Sequence, residues 1–284
     1  MKCKVFANAK INLTLDIVGT DQKGYHLIDS IFQSVSLKDE ITIQKTETLG
    51  LSVSMPDTNV KSEENIVFFA AKRFFDTAKL EPCVKICIKK GIPLSAGLGG
   101  GSCDAAVTLL ALNKMFNYPL DDEQLFEIAL SLGADVPFAL KGGTMRATGI
   151  GEKLEKLPDA PNCFMVLIKN GVKPSTKEMY ARLDALTEME HPDTQNAVKA
   201  INNGDLKGLC YEAKNVFAQL WDLKVINDLL KPTSPLAVSL SGSGPTVFAV
   251  YETQSEALKA LQLAKEQKME CYLCSFEKTS AVFE

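Results

Sequence analysis

The 284-residue chain has no basic run longer than the pair Lys89-Lys90, and its formal net charge is −4. A nucleic-acid footprint or a grip on an anionic membrane is not built that way, so small molecules are the expected partners. Long apolar runs are missing too. None approaches the ~18 residues that cross a bilayer, and the stretch 1–10 lacks the apolar centre of a secretion signal. A cytoplasmic location is the expectation. Histidine is scarce, with His26 and His191 alone. Neither stands at finger spacing from Cys271-x-x-Cys274, so that pair lacks the further ligands a structural zinc needs, and no metal site is expected from it. Internal repeats and low-complexity tracts are also absent.

What is present supports a globular protein of one large domain or two ordinary ones, since 46% of the residues are hydrophobic. The eight cysteines are scattered through apolar segments without the dense framework of a small secreted domain, and read as reduced, packed thiols.

The chain is organised around one stretch, Pro93-Leu94-Ser95-Ala96-Gly97-Leu98-Gly99-Gly100-Gly101-Ser102-Cys103. Its four glycines leave the backbone free to take positive φ and leave its N–H groups unshielded. Val84, Ile86 and Ile88 before it alternate with polar residues as in a strand, and good helix formers follow it. Ser102 is the expected N-cap of that helix, with Asp104 in its first turn. Strand, glycine loop and helix N-terminus together make a cradle for an oxygen-rich anion. An ordinary turn is the bland alternative, but four glycines this close together cost chain entropy that such a turn does not require. Two familiar cradles are excluded. The Walker loop requires a lysine where Ser102 stands, and the dinucleotide fingerprint fails because Gly97 and Gly99 are followed by serine at 102, outside an N-terminal βαβ unit.

Around this loop, apolar residues at 11, 13, 15 and 17 predict a half-buried strand with Lys10, Asn12, Thr14 and Asp16 on its other face. On that segment alone a solvated surface is the simpler reading. After a turn over 19–24, Tyr25-His26 opens a second extended segment to about 34, and another strand follows near 41–43. Tyr25 and His26 offer a flat ring and a ring nitrogen, either as ordinary edge residues or as a platform for a nucleobase. A helix is predicted over 65–78 with Asn65 as cap, and another from Asp121, boxed by Gln124, to about 132, ended by Gly133. Pro137 is expected to hold Val136 extended and Asp135 on a stiff connector. There Asp135 either caps a turn or serves as a general base. A glycine-punctuated strand pair follows over 142–154.

Residues 159–162 are the expected boundary between two lobes, 1–158 and 159–284. Beyond it come a strand over 164–168, helices over 176–186, 194–201 and 211–220, strands over 237–240 and 246–251, a helix over 255–268 and a strand over 270–276. The pattern is α+β, with a small sheet covered by helices on one side.

Taken together, these blocks resemble the galactokinase, homoserine kinase, mevalonate kinase and phosphomevalonate kinase (GHMP) family. The glycine loop is similar to that family's phosphate loop, and Ser241-Gly-Ser-Gly244 to its C-terminal glycine motif. The blocks Ala9-Lys-Ile-Asn-Leu13, Gly24-Tyr-His26, Gly99-Gly-Gly-Ser102-x-Asp-Ala-Ala106, Leu112-Asn113 and Leu132-Gly-Ala-Asp-Val-Pro-Phe138 resemble the branch that phosphorylates a cytidylyl-methylerythritol substrate in the non-mevalonate route to isoprenoid precursors. One departure stands out: Lys23 occupies the place of the usual aspartate before Gly24-Tyr-His26.

The resemblance implies a two-lobed GHMP kinase fold, with an N-terminal lobe like domain 2 of ribosomal protein S5 and a ferredoxin-like C-terminal lobe. It implies ATP as co-substrate with Mg²⁺, the phosphates on residues 93–103 and the adenine near Asn65. Asp135 is then the base that takes the proton of the substrate's 2-hydroxyl, and Lys10 lowers that hydroxyl's pKa. Tyr25 and His26 hold cytosine, Asn12 positions the substrate, and Thr176 and Tyr180 line the cytidine pocket. Two other readings stay open: the same fold acting on homoserine, mevalonate or a sugar, and a sensor that binds ATP without transfer.

Overall fold

Period-two alternation carries the chain straight into its first sheet. The computed structural model describes residues 1–56, 58, 60–172 and 174–284. Two long strands, β1 (Lys2–Thr20) and β2 (His26–Lys45), pair antiparallel along nearly their whole lengths. The extended segments expected to end near 34 and restart near 41 are thus one strand. In the turn between them Asp21 Oδ1 accepts from Lys23 N at 2.9 Å and Tyr25 N at 2.8 Å, so Asp21 supplies the carboxylate that shapes it, although position 23 is lysine.

The chain continues through β3 (Gly50–Ser54), α1 (Ile66–Ala78), β4 (Cys83–Lys89), α2 (Gly100–Met115), α3 (Asp122–Leu132), α4 (Val136–Lys141), β5 (Thr144–Gly149) and β6 (Lys153–Lys156). Asn65 caps α1 and the Asp121–Gln124 box starts α3, as their side chains predict. The stretch 44–64, which carries no clear pattern, holds β3, parallel to β4. β2 is the spine of this sheet: its second edge pairs β5 over 28–33 and β4 over 40–45. The helices α1 and α2 pack on it through Phe74, Phe75, Leu109 and Leu112, and α3 packs on these helices and on α4 through Leu125, Ile128 and Ala129.

The second half contains β7 (Phe164–Lys169), α5 (Thr176–Asp184), α6 (Thr194–Asn202), α7 (Leu206–Tyr211), α8 (Lys224–Leu230), β8 (Ala237–Leu240), β9 (Thr246–Tyr251), α9 (Gln254–Glu266) and β10 (Cys271–Cys274). Its sheet runs β10-β7-β9-β8, all antiparallel. Both faces are covered, one by α8 and α9, the other by α6, α7 and the apolar residues Ile11 and Leu13 of β1. The single helix expected over 211–220 is instead α7 and a 3-10 turn over Val216–Leu220, separated at Asn215, whose side chain caps that turn through Phe217 N. Past Cys274 the chain leaves this sheet: β11 (Phe276–Glu277) pairs β2 and β12 (Ala281–Phe283) pairs β1. Among the described residues no helix is long and apolar enough to cross a membrane, and all eight cysteines are free.

Two local expectations fail for physical reasons. The pairing of β1 with β2 skips a residue between Asn12 and Thr14, a bulge that turns the strand. Lys10, Asn12 and then Leu15 line the cavity described below, while Thr14 and Asp16 meet α6 and its approach, through Thr194 and His191. The polar stripe is therefore split, and all four of its members are buried rather than solvated. Pro137 does not prolong an extended connector. It sits in the first turn of α4, where its missing N–H costs nothing, and Val136 is helical.

Candidate active site

The glycine loop lines a cavity of about 570 Å³. α2 begins earlier than its serine suggests: Gly99, at φ 68°, is the N-cap, and Ser102 lies in the first turn. Lys10 explains the glycine at 99. A Cβ there would fall 2.8 Å from Lys10 Cγ, and Lys10 N donates to Leu98 O at 3.0 Å, so loop and β1 lie backbone to side chain. Gly97 explains itself the same way against the second glycine turn. A Cβ on it would stand 2.5 Å from Ser241 O and 2.7 Å from Gly244 O, while Ser241 Oγ donates to Gly97 O at 2.9 Å. The two glycine motifs interlock, and the wall of the cavity includes the loop from Pro93 to Ser102 together with Gly242 and Ser243. Cys103, one residue further, turns its thiol into the core, where burial pushes its pKa up.

Below the loop, Lys10 Nζ lies 3.3 Å from Asp135 Oδ2, 3.0 Å from Asn12 Oδ1 and 4.5 Å from the centre of the Phe32 ring. Lys10 is 4% exposed, so these partners take the place of water around its Nζ. Asn12 is itself fixed: Nδ2 donates to Ser30 Oγ at 2.9 Å and Oδ1 accepts from Gly242 N at 3.0 Å. Asp135 is the N-cap of α4 but makes no side-chain cap bond, and its side chain keeps 35% of its surface open toward the cavity. A carboxylate and an ammonium thus face one space beneath unshielded main-chain amides.

Aromatic rings close the far side. Tyr180 and Phe217 both line the cavity and meet edge to face at 5.0 Å. Burial, with the Asp135 carboxylate adding to it, pushes the Tyr180 hydroxyl up to about 12, so it stays a neutral donor. His26 stands behind Tyr180 with ring centres 4.5 Å apart, and its Nε2 is 2.7 Å from Asp184 Oδ1. Thr176, at the start of α5, lines the same wall. Tyr25 stays 58% exposed beside it, outside the wall. Asn65 is also outside: its Oδ1 is committed to Val67 N at 2.9 Å, and its neighbour Ile66 reaches the cavity.

Three contributors escape sequence reasoning. Phe32 and Phe217 are indistinguishable from core residues in the sequence. Lys90 reads as a solvated lysine after a strand, yet it lines the cavity and bonds two buried carboxylates, Asp39 and Asp104, the latter at 2.8 Å. Burial works against the Lys90 charge, but both carboxylates outweigh it and hold its pKa above the ordinary lysine value. Burial drives Asp104 the other way, well above the usual carboxylate range, despite the attraction of Lys90. Asp104 is therefore not a solvated first-turn charge.

Family models agree with this architecture: the N-terminal domain of GHMP kinases matches residues 65–143 and their C-terminal region matches 222–267. The protein is thus an ATP-dependent small-molecule kinase with the α+β fold of that class. Among its relatives, the 4-diphosphocytidyl-2-C-methyl-D-erythritol kinase of Clostridium novyi (strain NT) is 37% identical over 94% of this chain and 97% of its own. That of Acetivibrio thermocellus is 39% identical over 94% and 96%. A crystal structure of 4-(cytidine 5'-diphospho)-2C-methyl-D-erythritol kinase superposes with a TM-score of 0.80 at 29% identity, covering 96% of this chain and 98% of that one. Within the GHMP class, the chain belongs to the 4-diphosphocytidyl-2-C-methyl-D-erythritol kinase family.

Proposed function

We propose that this protein transfers the γ-phosphoryl group of ATP to the 2-hydroxyl of 4-diphosphocytidyl-2-C-methyl-D-erythritol. The observation that carries the reading is the Lys10–Asp135 pair, 3.3 Å apart beneath the glycine loop. The loop amides and the N-terminus of α2 receive the phosphates, with Asn65 and Ile66 on the adenine side. Asp135, open to the cavity, accepts the proton of the attacking hydroxyl. Lys10 stabilises the alkoxide as it forms and offsets charge on the transferring group. Asn12 holds Lys10 and the alcohol in register. The cytidylyl end lies against Tyr180 and Thr176, with Tyr25 and His26 completing the platform.

Mg²⁺ neutralises phosphate charge in this chemistry. The Ser102 hydroxyl and the Asp135 carboxylate, among the oxygen-bearing side chains that line the cavity, are hard donors that suit it. These two residues would help to hold the ion, which would supply positive charge against the phosphates. In this reading the lobe 1–158 carries Lys10, Asp135 and the nucleotide loop, the lobe from 159 onward adds Thr176 and Tyr180 to the cytidylyl side, and the free cysteines suit a reducing cytoplasm.

The test is ADP release with the cytidylyl-methylerythritol substrate beside mevalonate and homoserine. Turnover with the first alone is expected. Turnover with either of the others at a comparable kcat/KM would overturn the substrate assignment.

A further inference from the structure

The phosphate loop is fastened at both ends by one buried group of charges. At its entry, Asp39 on β2 is fully buried, and its Oδ1 accepts from Gly91 N at 2.7 Å and Ile92 N at 2.8 Å. Its Oδ2 accepts from Lys90 Nζ. At its exit, the same ammonium donates to Asp104 Oδ2, one turn into α2, at 2.8 Å. A Cβ added to Gly100 would stand 3.3 Å from Lys90 Nζ, which puts the ammonium directly behind the first residue of α2. The approach to β2 is tighter still, since a Cβ on Gly91 would meet Lys38 O at 2.3 Å.

A glycine-rich segment has no side chains to hold its own shape, so its amides converge on an anion only if its ends are fixed. We propose that Asp39 is a positioning residue for the nucleotide: through Gly91, Ile92 and the Lys90–Asp104 link it sets the distance between the loop's entry and the start of α2. The proposal rests on reading the loop as the nucleotide cradle. Coulomb's law alone predicts the opposite consequence, because removing the Asp39 charge near a bound phosphate should tighten binding. The sign of the effect therefore separates positioning from simple electrostatics.

The experiment is calorimetric titration of the full-length protein with ADP and no alcohol present, alongside steady-state KM values for both substrates. Asp39→Asn is expected to weaken ADP at least fivefold, and Asp104→Ala, which cuts the link to α2, at least threefold. The KM of the alcohol should move less than twofold in each, and Asp104→Asn, which keeps an acceptor for Lys90, should recover most of the Asp104→Ala loss. Equal or tighter ADP binding in a folded variant, or a parallel loss toward the alcohol, would overturn the proposal. If Asp39→Asn does not fold, the Asp104 pair decides by the same criteria. A wild-type protein giving no heat with ADP would instead overturn the nucleotide reading and the clamp with it.

Discussion

Asp135→Asn keeps the shape of the side chain beside Lys10 and removes its basicity, which makes it the sharpest single change available. Lys10 would still have Asn12 Oδ1 at 3.0 Å and the Phe32 ring at 4.5 Å, so its ammonium stays partnered and the fold should hold. General-base catalysis contributes about 10²- to 10⁴-fold, and turnover should fall on that scale. ADP affinity, set by the loop and not by this carboxylate, should stay within about threefold of wild type. Single-turnover phosphoryl transfer beside an ADP titration measures both, and near-wild-type transfer would remove Asp135 from the role of base. At this scale the sequence is most readable where a residue is chemically odd for its place, as Asp135 is before Val-Pro. Lys90, Asp39 and Asp104 stay hidden because a charged residue in or beside a strand or helix reads as solvated until the fold brings its partner to it.

Among the elements, what was legible is what is decided locally. The alternation of Val84, Ile86 and Ile88 makes β4, and the side chains of Asn65, Asp121 and Gln124 cap their own helices. The bulge at Leu13 leaves no mark in the sequence, since the extra residue exists only relative to β2, and so the division of Lys10 and Asn12 from Thr14 and Asp16 could not be read. The early start of α2 has the same character: Gly99 is the cap because Lys10 fills the space a side chain would occupy. The interlocked loops give the prediction at this scale. Gly97→Ala meets a positive φ of 78° and two carbonyl oxygens, Ser241 O at 2.5 Å and Gly244 O at 2.7 Å. Neither oxygen can give way without moving a turn already held by Asn215 Nδ2, which donates to Leu240 O at 2.7 Å and Gly242 O at 2.8 Å. Separation of the loops should cost about 1–3 kcal/mol and raise the KM for ATP. Thermal unfolding and initial rates check it, and an alanine variant with wild-type values for both would show that the loops need not touch.

For the molecule as a whole, the decisive feature is that residues 276–283 return from the second sheet to the first. After completing the second sheet the chain crosses back: residues 276–277 pair with β2, and residues 281–283 close the edge of the first sheet beside β1. Asn8 N donates to Ser280 O at 2.8 Å, Asn8 Nδ2 to Thr279 O at 2.9 Å, Gln33 Nε2 to Glu277 O at 3.0 Å and Glu284 N to Lys4 O at 3.1 Å. Ser280 N also lies so near Gly142 that a Cβ there would stand 2.1 Å away, so the tail presses on the end of α4, the helix that Asp135 begins. Removing residues 276–284 opens the edge of β1 beside the buried Val5 and Ala7 and frees these bonds together. At about 0.5–1.5 kcal/mol for each net hydrogen bond, the loss is on the order of several kcal/mol. For a chain of this size that lowers the melting temperature by roughly 5–10 °C. Because α4 loses its stop at one end and carries the base at the other, transfer should slow more than ADP binding weakens. Calorimetric melting of the truncated protein within a degree of the full chain would show that the two sheets are held together without the returning strands, and unchanged single-turnover transfer would show that the position of Asp135 is set from its own side of the molecule.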